Sequence, residues 1–74
     1  MINELDLVAL TRPIPDKGLA VGAVGTVVDV HQGGKGYTLE FVSFDGQTVA
    51  IVTVEAADVR PLRPREIAHV RETV

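Results

Sequence analysis

The sequence has no cysteine and no tryptophan, and its aromatic residues are one tyrosine and two phenylalanines in 74 positions. Without thiols, disulfides and thiolate metal sites are excluded. A chain this short must then be held by apolar burial, strand pairing or association with another chain. The same lack agrees with a cytoplasmic setting. With so few aromatics, little is left for stacking on nucleic-acid bases. Long hydrophobic runs are missing too. No apolar stretch approaches the length that crosses a bilayer, and the opening MINELDL is acidic where a secretory leader needs a basic and then an apolar segment. The expectation is a soluble chain with no membrane partner.

Positive charge is scarce over most of the length. The net charge is −3, unevenly distributed. Residues 1–59 carry Arg12, Lys17 and Lys35 against eight acidic side chains, a net of −5, whereas Arg60, Arg63, Arg65 and Arg71 against Glu66 and Glu72 leave residues 60–74 at +2. An acidic body of this kind opposes general binding to phosphate backbones.

What the chain does have is short β-branched runs separated by turn residues. LDLVAL (5–10) leads into TRPIPDKG, whose two prolines cannot lie in a central strand. TVVDV (26–30) stops at the glycine-dense HQGGKG. YTLEFVSFDGQTVAIVTV (37–54) places two β-rich runs around Asp45-Gly46, the dipeptide suited to a tight hairpin turn. With Asp45 and Gly46 as the two central turn residues, Phe44 pairs with Gln47. One face then collects Tyr37, Leu39, Phe41, Ala50, Val52 and Val54, the expected core. A single helical turn around Ala56–Asp58 and a last strand over 59–62 follow. Five short strands, a long first loop and a one-turn helix before the last strand predict an all-β fold, a small five-stranded SH3-like barrel over residues 1–62. A basic C-terminal tail, 63–74, completes the chain, with Ile67, Val70 and Val74 at helical spacing.

The stretches LDLVALTRPIPDKGLAVGAVGTVVDV and YTLEFVSFDGQTVAIVTVEAADVRPL together resemble the small bacterial proteins grouped as domain of unknown function 4926, over residues 5–62. That family's Leu-x-x-Gly-x-x-Gly-x-Val pattern is met by Leu19, Gly22, Gly25 and Val27. A more distant similarity is to KOW-type barrels, which share the glycine-then-valine pattern. The resemblance implies a fold and no activity, and the tail from Arg63 lies outside it.

The glycines of GLAVGAVGTVVDV do not make a phosphate cradle. A dinucleotide loop must open a helix, and a Walker-type loop needs Lys followed by Ser or Thr; Gly22 and Gly25 open a β-branched strand. They are assigned to the turn, as are Asp45 and Gly46. His31 and His69 show no paired-ligand spacing. Asp29 is close enough to His31 along a strand to suggest only a weak metal or acid-base pair. Ser43 has no neighbouring base in sequence. The reading therefore assigns no catalytic group, no metal and no cofactor, and takes the chain for a non-enzyme.

The second face of the hairpin is the anomaly. It gathers Val42, Phe44, Val49 and Ile51 around Glu40, with Thr38 and Thr53, where a solvated face should alternate with polar residues. Glu40 in such a setting calls for an arginine from Arg60, Arg63 or Arg65. The expected function is a non-catalytic protein-interaction module, binding a partner protein or a second copy of itself through this face or the long first loop. The alternative is weak nucleic-acid binding by a KOW-like module through the arginine-rich tail.

Overall fold

The β-branched runs become strands. In the computed structural model, which describes residues 2–43 and 45–62, the strands are β1 (Leu7–Leu10), β2 (Val24–His31), β3 (Gly36–Val42), β4 (Thr48–Glu55) and β5 (Val59–Pro61). A single 3-10 turn at Pro15–Lys17 interrupts the first loop, and another at Ala56–Asp58 turns the chain from β4 into β5. The C-terminal tail, with its helical spacing at Ile67, Val70 and Val74, lies outside the described residues.

The strands make one sheet in the order β4-β3-β2-β1-β5, with every neighbouring pair antiparallel. This corrects the barrel expected from the strand count and from the likeness to KOW-type barrels. The sheet is open, with β4 and β5 as its two edges and no ladder between them. The physical reason lies in β5. It has three residues, all paired to β1, and it ends at Pro61, which has no N–H to give to a further ladder.

The core occupies one face of this sheet. Tyr37 pairs with Val54, Leu39 with Val52 and Phe41 with Ala50, and all six side chains are buried. Strand β1 adds Val8 and Leu10, β2 adds Val27 and β5 adds Val59 to the same cluster. Full burial of each large aliphatic side chain contributes about 1.5–3 kcal/mol, an upper bound because the unfolded chain already hides part of its surface. Between Val27 and Asp29 the β2–β3 register shifts, so Val28 is an extra residue that bends β2.

The hairpin tip differs from a two-residue Asp-Gly turn. The Ser43 N–H donates to Gln47 O and the Gly46 N–H donates to Ser43 O, both at 2.9 Å. The β3–β4 register shifts after Phe41, so that Val42 faces Thr48 and Val49 becomes the extra residue. Gly46 has φ +86°. This is the three-residue closure, a turn followed by a left-handed residue, in which glycine avoids the Cβ clash. Asp45 accepts from the Ser43 hydroxyl and from the Gln47 N–H, and these bonds, the first foremost, hold its carboxyl below its ordinary pKa. The bond between Ser43 and Gln47 replaces the expected pairing of Phe44 with Gln47; Phe44 itself lies outside the described residues.

Gly25 sits within β2 because of what lies over it. A Cβ there would fall 2.9 Å from Cε1 and Cζ of Phe41, a side chain that is itself buried and has little room to retreat. Gly25→Val should therefore destabilise the fold by about 1–3 kcal/mol through overpacking, as read from the chemical-denaturation midpoint. Wild-type stability in that variant would show that the Phe41 ring does not constrain the strand.

Candidate functional site

The second face of the β3–β4 hairpin is open to solvent. Val42, Val49 and Ile51 are 55%, 57% and 59% exposed. The register carries the same face across the sheet, since Ile51 pairs with Glu40, Glu40 with Thr26 and Thr26 with the exposed Leu7. Glu40 is partly buried and accepts a hydrogen bond from the Thr48 hydroxyl at 3.0 Å. Of the arginines expected near Glu40, Arg60 lies on β5, at the edge opposite β4, where its Nη1 donates to Pro61 O. Arg63 and Arg65, like Phe44, lie outside the described residues.

Further along this face, a polar strip replaces the apolar one. His31 Nε2 and the Thr38 hydroxyl are 2.6 Å apart, and Thr38 is hydrogen-bonded in turn to the hydroxyl of Thr53. Asp29 Oδ2 is 3.9 Å from His31 Nδ1, beyond hydrogen-bond reach, so the carboxylate does not fix the imidazole tautomer as it would in an acid-base relay. Among the described residues, no three His, Asp or Glu side chains converge as metal ligands, and no helix is long and apolar enough to cross a membrane. Gly22, at φ +88°, turns the chain into β2 and donates its N–H to Leu10 O.

A second feature lies along β4, which among the described residues is paired to β3 alone. A cleft of about 740 Å³ separates this strand from the first loop, with Ile51–Val54 on one wall and Arg12–Lys17 on the other. A smaller hollow of about 410 Å³ shares Arg12, Thr53, Val54 and Asp58 with it and continues to Lys35. Both walls are anchored on Asp58, the one buried charged side chain among the described residues. Its Oδ1 lies 2.8 Å from Arg12 Nε. Its Oδ2 accepts the Glu55 N–H at 3.1 Å, while the Glu55 side chain accepts the Asp58 N–H in return. Thr11 adds two bonds at 2.8 Å, from its N–H to Asp58 O and from its hydroxyl to Ala57 O.

Neither the Arg12–Asp58 pair nor the edge cleft was read from the sequence. The visible signal was Glu55-x-x-Asp58, the spacing of a reciprocal cap directly after a β-rich run. Nothing local pointed to Arg12 as its partner.

One protein-family model, described as Domain of unknown function (DUF4926), matches residues 4–61. No curated protein and no solved structure matches the chain.

Removing the Asp58 carboxylate leaves Arg12 and the Glu55 N–H without their acceptor. Asp58→Ala should cost about 2–3 kcal/mol, the range for hydrogen bonds to a charged group whose partners are left behind. Arg12→Ala should cost under about 1 kcal/mol, because that side chain is 68% exposed. Equal losses in urea denaturation of the two variants would show that Asp58 acts only through its arginine.

Proposed function

The chain belongs to the family described as domain of unknown function (DUF4926), and from that premise we propose that it is a non-catalytic protein-interaction module. Its contact surface is the solvent-facing side of the β3–β4 hairpin. The observation that carries this reading is the exposure of Val42, Val49 and Ile51 on the back of the two strands whose front forms the core. Three aliphatic side chains side by side, with Leu7 on the same face, make a patch that water penalises and a second surface relieves. Each is about half exposed already, so covering it contributes roughly half of the 1.5–3 kcal/mol of full burial. Thr48 donates to one oxygen of Glu40 at the centre of the patch, so a surface that docks there has to bring a donor or a cation to that carboxylate. A cytoplasmic setting accords with the absence of cysteine.

A second copy is the simplest occupant. The purified chain should sediment as a dimer or larger species. Ile51→Asp should sediment as a monomer with an unchanged circular-dichroism spectrum, because Ile51 takes no part in the core. A wild type that stays monomeric at high concentration, and captures no protein that Ile51→Asp loses, would overturn the proposal. Recovery of nucleic acid alone would favour binding through the basic tail instead.

A further inference from the structure

We infer that residues 63–74 dock across the solvent-facing side of the chain's own sheet, over the row Leu7, Thr26, Glu40 and Ile51, and compete there with a second copy. The docking stands on its own observations. The competition rests on the reading of that face as the contact surface.

Strand β5 delivers the segment to the end of the row. Pro61 pairs with Val8, so Leu62, the last residue described before the segment, comes level with Leu7. From β5 to β4 the row crosses four strand spacings, about 19 Å. Residues 63–74, taken as two extended residues and ten helical ones, span about 22 Å. Pro64 suits the start of such a helix, and Ile67, Val70 and Val74 then share one side of it. A helix this short is stable only on a surface it can pack against, and the exposed Leu7, Val49 and Ile51 offer one.

Charge selects the same occupant. Strands β2, β3 and β4 contain Asp29, Glu40 and Glu55 and neither lysine nor arginine. The Glu55 side chain already accepts the Asp58 N–H, and Asp29 lies beside His31. Glu40 is partly buried, takes the Thr48 hydroxyl on one oxygen and has no ion pair among the described residues. A cover for this face therefore needs aliphatic side chains with a cation set among them. In the segment, Arg71 follows Ile67 by four residues and flanks the apolar side, whereas Glu72 falls on the opposite side and Glu66 stands five residues nearer β5. Arg71 lies about 17 Å along the segment and slants back toward its start, which carries the guanidinium to β3 and Glu40, about 14 Å from β5.

A segment of twelve residues covers less area than a stable interface between two proteins, so the tether rather than the contact keeps it in place. A second copy has to displace it, and the full chain then self-associates less tightly than its bare face would.

The test uses the full chain. Because the chain has no cysteine, Thr73→Cys accepts a single nitroxide label. In dilute, methyl-labelled protein the label should broaden the Ile51 methyl resonance. Val70→Asp should relieve that broadening, Glu40→Lys should do the same, and Arg71→Glu added to Glu40→Lys should restore it. In sedimentation, Val70→Asp should tighten self-association fivefold or more by freeing the face. An Ile51 methyl untouched by the label would overturn the inference. So would broadening that survives Val70→Asp, and broadening seen only when spin-labelled chains are mixed with isotope-labelled ones, which seats the segment on a second copy. Unchanged or weaker association of Val70→Asp, with the wild type associating through Ile51, would overturn the competition. Failure of the contact-surface reading has another signature: neither chain associates, while the broadening and its relief by Val70→Asp persist and uphold the docking.

Discussion

The carboxylate of Asp58 is the constraint on which the shape of this molecule turns. It sits where β4 ends and β5 begins, caps the Glu55 N–H and faces the guanidinium of Arg12. Through these bonds one side chain sets the corner between two strands and also the position of the first loop relative to that corner. A buried carboxylate is costly unless its lone pairs are used, and here both oxygens are engaged. The bonds from Thr11 to the backbone of Ala57 and Asp58 reinforce the same junction. The loop is thereby held away from the β4 edge by a fixed spacing, and the cleft between them is a built feature of the fold.

The openness of the sheet follows from the same corner. A chain that turns from β4 to β5 within three residues places the two strands end to end, and the short, proline-ended β5 has no backbone left with which to bridge back. The curvature needed to bring the sheet this far comes from elsewhere, from the extra residues Val28 and Val49 and from the close approach of Phe41 to Gly25. Curvature and closure are thus separate properties, and the chain has the first without the second.

This separation explains what could be read from the sequence. The core pairs Tyr37–Val54, Leu39–Val52 and Phe41–Ala50 were legible because a period of two across a hairpin is local and leaves one consistent register. The tip was misread because Asp-Gly serves two closures, and the choice of the three-residue one depends on the Ser43–Gln47 bond rather than on the dipeptide. Closure of the sheet was misread because strand count says nothing about whether the two outermost strands meet. The exposed Val42, Val49 and Ile51 were legible as an anomaly of pattern, whereas the cleft was not. Its walls join Arg12 to Asp58 across 46 residues, and neither residue stands out where it occurs.

Strand β1 lies between β2 and β5, with Val8, Ala9 and Leu10 each paired on the β5 side to Pro61, Arg60 and Val59. Strands β1 and β5 lie at the two ends of the strand order along the sequence, so their pairing closes the longest loop in the sheet. Until residues 59–61 add to it, the most deeply buried side chains of β1 have one flank bare, and the β3–β4 hairpin, which pairs locally, does not fill that place. Completion of the core therefore waits on the least local contact of the fold, the kind that is slow to form.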